Sequence, residues 1–169
     1  MLRSHLWKQA GWVSLWRYTE NQRNFPGWHL TADATGCSSL ISLLDAFASD
    51  NIAVTRTLEI VAPTAEILAV PNNLSGRAGW VAPARLCFSY SVVSSQWAFP
   101  CASDPAVLTV GSEWLAPLRK GLEGIPSGVG DYSIGNYSDG NLRLWFWWQP
   151  SAAQPIIPPD LAHKAAQGR

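Results

Sequence analysis

The chain has 169 residues, no formal net charge and only 14% charged residues, against roughly 25% in an average soluble domain. Its length suffices for one domain with a self-sufficient core. The charge balance argues against a nucleic-acid binder, which needs clustered Lys and Arg, and against a polybasic membrane-surface protein. Since no apolar run approaches the roughly 20 residues of a membrane span, we expect neither nucleic acid nor membrane as partner.

The first 24 residues are predicted to form a leader segment. Apolar residues between Leu6 and Trp16 fit one face of a short helix, although Gly11 interrupts it. The segment is either mobile or laid over the body, and its three tryptophans favour partial order because exposed indoles are costly. Lys8 interrupts any signal-peptide core, so we expect a cytoplasmic protein.

The body is predicted to start with a strand over 28–32 and a helix over 34–49. Asp33 precedes the helix and is a suitable N-cap, since its carboxylate can accept a free N–H of the first turn. Apolar residues then recur at helical spacing from Cys37 to Phe47. Alternation and turn residues predict strands over 54–61, 66–70, 85–93, 97–101 and 106–110, a loop over 71–84 and a helix over 113–122.

The last predicted element is a hairpin over 131–148. Asp139-Gly140 is typical of a two-residue turn, and this turn would place Tyr132 opposite Trp147 and Ile134 opposite Trp145. Side chains alternate between faces along each arm. One face, which we expect in the core, carries Leu142, Leu144, Phe146 and Trp148. The other carries Tyr132, Arg143, Trp145 and Trp147.

This order of elements predicts an α+β fold: a mainly antiparallel sheet of about five to seven strands, with two helices packed on one face. The predicted organisation is a leader over 1–24, a single α+β domain over 25–150 and a flexible, Pro-rich tail over 151–169. A two-layer fold of this kind leaves one sheet face open, and the aromatic face of the hairpin is the candidate.

Three cysteines, Cys37, Cys87 and Cys101, have spacings that fit neither a zinc site nor a disulfide framework. Reduced thiols are therefore expected, and neither a metal nor a cofactor is predicted. A nucleophilic Cys37, assisted by His29 and Asp33 just upstream, is the one enzymatic alternative. It is weaker than a structural role, because Cys37 lies on the apolar stripe of the helix and Asp33 is the expected cap.

Tryptophan is the compositional outlier. The ten residues are too many for a core of this size to bury easily, because Trp is rarely fully buried and its indole N–H needs a partner. The surplus therefore indicates binding rather than catalysis. The ten are Trp7, Trp12, Trp16, Trp28, Trp80, Trp97, Trp114, Trp145, Trp147 and Trp148.

The sequence contains no motif diagnostic of a reaction, so the functional hypothesis is a non-enzymatic protein-binding module of the adaptor, inhibitor or toxin-neutralising (immunity) type. Trp, Tyr and Arg dominate the binding energy of protein interfaces. A small-ligand or carbohydrate site that stacks its ligand on aromatic rings is the alternative, and self-association as a homodimer is left open. The candidate binding residues are Tyr132, Arg143, Trp145, Trp147, Trp80 and Arg77.

Overall fold

The computed structural model describes residues 1–101, 104–138 and 140–150. Within these ranges the chain forms four α-helices and nine strands. The helices are α1 (Arg3–Leu6), α2 (Ala34–Asp50), α3 (Ala65–Ala69) and α4 (Leu115–Gly124). The strands are β1 (Val13–Tyr18), β2 (Trp28–Ala32), β3 (Val54–Glu59), β4 (Trp80–Val81), β5 (Arg85–Tyr90), β6 (Trp97–Ala98), β7 (Ala106–Val110), β8 (Tyr132–Ile134) and β9 (Leu144–Phe146).

The strands of the described residues form two mixed sheets, of order β4-β1-β2-β9-β8 and β3-β5-β7-β6. Pairing is mainly antiparallel, with β2/β9 and β5/β7 as the parallel pairs. The predicted α+β class is confirmed. We expected one sheet, because alternation in a sequence identifies the buried face of a strand but not its neighbours. Both sheets, α2 and α4 contribute to a single main core.

The helix over α2 follows the prediction closely. The Asp33 carboxylate accepts the Gly36 N–H at 2.7 Å and the Trp12 N–H at 3.0 Å, so it caps the helix and also anchors the chain before β1. The apolar stripe from Cys37 to Phe47 is buried in the main core. Asn51 ends the helix in the left-handed conformation, at φ 48°.

The prediction of a strand over 66–70 is wrong, because residues 66–69 belong to α3 and Val70 is its C-cap. Thr64 caps this helix through a hydrogen bond from the Ile67 N–H to its hydroxyl, at 3.4 Å. Ile67 and Leu68 are buried next to each other. A five-residue apolar run does not distinguish a strand from one turn of helix by periodicity alone, and the capping threonine was the missed signal.

The helix expected between Leu6 and Trp16 is also wrong. Within residues 1–24, only α1 is helical. Strand β1 lies between β2 and β4 in the larger sheet, with Trp16 opposite His29. Residues 1–24 therefore contribute a central strand to the larger sheet. Five of the six residues of β1 are buried, and such a strand shows no clean alternation of apolar and polar residues.

The hairpin is present, but its register differs by one residue from the prediction. Tyr132 pairs with Phe146 and Ile134 with Leu144. The arms are short because Asn141 pairs instead with Pro100, and the Leu142 N–H donates to the Phe99 carbonyl at 2.8 Å. A shift of one residue reverses the face of every side chain in an arm. Tyr132 and Ile134 therefore pack against the main core.

Two predictions concern residues outside the described ranges. Asp139 of the expected two-residue turn is one of them, and the predicted tail over 151–169 is the other.

Candidate binding surface

The face of the larger sheet that points away from the main core is covered by the chain itself. A second cluster of buried residues, called here the outer core, lies on this face. Helix α3 is docked onto it by the Tyr18 hydroxyl, which donates to the Leu68 carbonyl at 2.9 Å. The face expected to be open is therefore largely closed. The outer core consists of Trp16, Tyr18, Ile67, Leu68, Ala78 and Trp147.

Aromatic rings stack continuously across this face. Trp16 stacks on His29 at 5.5 Å between ring centroids, His29 on Trp147 at 6.0 Å, and Trp147 on Trp145 at 6.2 Å. Phe25 meets both Trp145 and Trp147 edge-on, at 4.9 and 5.0 Å. These are favourable geometries for aromatic pairs. The rings of Trp145 and Trp147 therefore pack against other aromatic residues of the same chain.

His29 lies at the centre of this stack and is fully buried. Its Nδ1 accepts the indole N–H of Trp147 at 2.9 Å, which fixes the neutral tautomer with its proton on Nε2. Burial lowers the pKa of His29 to about 3, and the Phe25 backbone carbonyl acts in the opposite direction. Among the described residues, no hydrogen bond of normal geometry satisfies Nε2. His29 therefore acts as a structural acceptor within the outer core.

The structure separates the six candidate binding residues. Trp147 is 1% exposed, and Trp145 is half-buried with its indole N–H donating to the Pro26 carbonyl at 3.1 Å. The half-buried Arg143 donates to the Ser133 carbonyl at 3.4 Å. These residues hold the sheet and its connecting loops together.

Tyr132 lies on the opposite face, with its ring 5.8 Å from that of Phe146. The Lys120 ammonium is 5.0 Å from its centroid, and its hydroxyl donates to the Pro117 carbonyl at 3.3 Å. Burial raises the pKa of Tyr132. Lys120, Tyr132 and Phe146 line a groove of about 280 Å³ between α4 and β8. Tyr132 therefore does not share a surface with Trp145 and Trp147.

Trp80 and Arg77 remain exposed, on β4 and on the loop before it. Trp80 is 38% exposed, whereas each of the other nine tryptophans is buried or half-buried. Val81 is 38% and Leu74 46% exposed. We call the four residues Leu74, Arg77, Trp80 and Val81 the edge patch. The four residues lie within eight residues of chain, and two of them, Trp80 and Val81, form the edge strand β4.

The loop that carries Leu74 is strained and firmly held. Leu74 and Ser75 have φ values of 49° and 56°, in the left-handed region that costs a non-glycine residue about 1–2 kcal/mol. Between Asn72 and Leu74, the buried Asn73 accepts the Asn21 side-chain N–H at 2.9 Å and donates to the Glu20 carbonyl at 3.2 Å. The loop is therefore fixed before any partner binds.

Cys37 lies on α2 and is buried in the main core, whereas the His29 side chain lies on the outer face of the larger sheet, in the aromatic stack. Burial and the nearby Asp33 carboxylate raise the pKa of the Cys37 thiol to about 12, which keeps it protonated near neutral pH. The arrangement proposed for a nucleophilic thiol is thus not assembled. Cys87 is half-buried and Cys101 exposed, and both are free.

Sequence reasoning missed Leu74 and Val81 because both fell in the stretch expected to be a loop over 71–84. The signal for the turn was present, since Asn72 and Gly76 are residue types that adopt positive φ. The pairing of 80–81 with β1 was not recognisable, because a two-residue strand has no periodicity.

Two broader properties concern the described ranges. None of their helices has the length and apolar character that crossing a membrane requires. They also contain no group of His, Cys, Asp and Glu side chains arranged to hold a metal ion. Comparison with models of protein families, with curated proteins and with solved structures gives no match.

Proposed function

We propose that this chain is a non-enzymatic, cytoplasmic protein-binding module of the adaptor, inhibitor or toxin-neutralising type, and that the edge patch is its binding surface. The observation that carries the proposal is the exposure of Trp80, three residues after the exposed Arg77, when every other tryptophan is buried or half-buried. Trp and Arg, with Tyr, are the residue types that most often dominate the binding energy of protein interfaces.

The strained loop supports the same proposal. Left-handed residues persist only where the surrounding structure holds them, and they are common at binding sites. Because Asn73 already fixes the loop, little conformational entropy is left to lose when a partner binds Leu74. The zero net charge of the chain supports a protein rather than a nucleic acid as this partner.

The alternative functions have less support. An aromatic stacking site for a sugar needs an open ring face, but Trp145 and Trp147 stack on each other, and the Lys120 ammonium lies over Tyr132. A catalytic Cys37 needs an accessible thiolate, and this thiol is buried with a raised pKa. A homodimer through the edge patch is the variant of the proposal in which the partner is a second copy.

Quantitative affinity capture from the native host tests the proposal. Wild-type protein is compared with the double variant Trp80→Ala/Arg77→Ala and with the control Val92→Ala/Val93→Ala, which removes two exposed apolar side chains elsewhere. We expect one stoichiometric partner with the wild type and the control, and its loss with Trp80→Ala/Arg77→Ala. Equal recovery by all three proteins, or no stoichiometric partner, contradicts the proposal. Mass measurement in solution identifies the homodimer.

A further inference from the structure

The edge patch includes unpaired backbone groups as well as side chains. β4 is the outermost strand of the larger sheet and pairs with β1, Arg17 opposite Val81 and Tyr18 opposite Trp80. The Thr19 N–H donates to the Gly79 carbonyl at 2.8 Å. Since hydrogen-bonding groups alternate along an antiparallel strand, those of Trp80 point away from β1. Within the described ranges, nothing beyond the strand accepts or donates to them.

The chain protects another sheet edge in a way that it does not protect this one. On β3, the Gln9 side-chain amide bonds both backbone groups of Glu59, at 2.9 Å to the carbonyl and 2.8 Å from the N–H. β3 also carries the charged Arg56, and charges on an edge discourage pairing with other chains. β4 carries two exposed apolar side chains instead. Among the described residues β4 has no such cover, and its short length is its only protection against pairing.

The charges around β4 indicate what a paired segment should carry. Arg77 is exposed and forms no ion pair with any described residue. The Glu20 carboxylate lies against Gly79, 3.2 Å from where a Cβ would be. Because successive residues of a strand point to opposite faces, Glu20 is on the face away from the Trp80 side chain. Because Arg77 has no carboxylate partner among the described residues, a carboxylate on the bound segment would complement it.

We infer that β4 accepts an extended segment of a partner protein as an added strand of the larger sheet. The inference rests on the proposed function and specifies its partner: alternating apolar side chains that meet Trp80 and Leu74, and an acidic side chain that meets Arg77. Main-chain pairing supplies the register, and the side chains supply specificity. One residue of edge offers two backbone hydrogen bonds, so most of the affinity comes from the side chains.

Selection of linear dodecapeptides from a displayed library on the full-length protein tests this inference. The tightest peptide is resynthesised with single backbone N-methyl groups, which remove one N–H at a time without altering the protein. Its affinity is also measured for Trp80→Ala and Trp80→Pro. Both variants lack the indole, but only Trp80→Ala keeps the outward N–H, and proline is tolerated where an edge N–H faces solvent. Circular dichroism checks that both variants are folded.

We expect N-methylation to weaken binding at one or two residues of the peptide only, and Trp80→Pro to bind about 3- to 10-fold more weakly than Trp80→Ala. Arg77→Ala should reduce binding by about 1.5- to 5-fold, because an exposed ion pair contributes little. If N-methylation has no effect and both Trp80 variants bind alike, strand addition is overturned while binding through the patch stands. If Trp80→Ala and Arg77→Ala bind as wild type, the edge patch itself is refuted. A library without binders rules out strand addition.

Discussion

The histidine buried in the aromatic stack ties the stability of the fold to pH. The pKa of His29 is about 3 in the folded chain and near 6.5 when unfolded, so the unfolded state binds more protons between these values. This contribution to stability is complete above pH 6.5 and decreases as the pH falls towards 3. We expect a loss of about 2 kcal/mol in the free energy of unfolding from pH 7 to 5, measured by denaturant titration.

The change in the free energy of unfolding with pH, rather than its absolute value, identifies His29 as the group responsible for the acid sensitivity. His29→Gln removes the titrating group and should flatten the curve between pH 7 and 5. His5 is exposed, and His5→Gln should keep the wild-type slope. If His29→Gln showed the wild-type slope, another group would be responsible for the acid sensitivity.

Cys101 and Cys37 should differ in reactivity according to their burial. Cys101 is exposed, whereas Cys37 is buried and its pKa is raised to about 12. Since the thiolate is the reactive form, iodoacetamide at pH 8 should label Cys101 quickly and Cys37 only in denaturant. Mass spectrometry of the labelled peptides measures both rates. Labelling of native Cys37 as fast as a free thiol would revive the enzymatic alternative.

At the scale of elements, the sequence predicted those features that depend on residues within a single helix. The cap and apolar stripe of α2 predicted its start and its buried face, because an N-cap and a 3.6-residue period act within one helix. The register of the hairpin depends instead on a distant contact, the pairing of Asn141 with Pro100. A one-residue shift then moved Tyr132 to the other face, and no pattern within 131–148 could reveal it.

The candidate site was predictable only in part for the same reason. The tryptophan surplus predicted rings at a surface, and one of the ten, Trp80, is exposed, whereas the fold takes up the other nine more fully than expected. Which ring stays exposed depends on what covers the outer face, and that is α3, a segment whose sequence also fits a strand. Exposure is a property of packing between distant segments, so composition indicates its presence but not its place.

The packing of α4 on the hairpin gives a test at this scale. A Cβ on Gly121 would lie 2.6 Å from the buried Phe146 ring, and the helix has no room to move without opening the main core. Alanine normally stabilises a helix by about 1 kcal/mol relative to glycine. Overpacking should outweigh this gain, so we expect Gly121→Ala to lower the free energy of unfolding by about 1–2 kcal/mol.

Gly124→Ala is the matched control for that change, measured by the same denaturant titration. It lies in the same helix, and its Cβ would meet only the exposed Val129 side chain, at 3.2 Å. Because this contact is longer than the 2.6 Å contact at Gly121 and involves an exposed loop residue, Gly124→Ala should destabilise the chain much less than Gly121→Ala. Equal destabilisation by both variants would mean that loss of glycine, rather than contact with Phe146, causes the effect.

At the scale of the whole molecule, the prediction that residues 1–24 form a separate leader can be tested by mutation. The structure ties their first turn to the centre of the fold. Trp7 is buried in the main core and donates to the Ser39 carbonyl at 2.8 Å, while the Arg56 guanidinium donates to the Trp7 carbonyl at 2.9 Å. These contacts join the N-terminus to α2 and to β3, so the segment should stabilise both sheets.

Two neighbouring substitutions decide the question. Trp7→Ala leaves a cavity in the main core and should lower the free energy of unfolding by about 3–5 kcal/mol, a large share of the stability of a domain of this size. Leu6 is 60% exposed, so Leu6→Ala should change the free energy by no more than about 0.5 kcal/mol. Thermal and denaturant unfolding measure both. If residues 1–24 were a detachable leader, neither variant would change the free energy of unfolding. If the segment is integrated, only Trp7→Ala lowers it, because Trp7 is buried in the main core and its neighbour Leu6 is exposed.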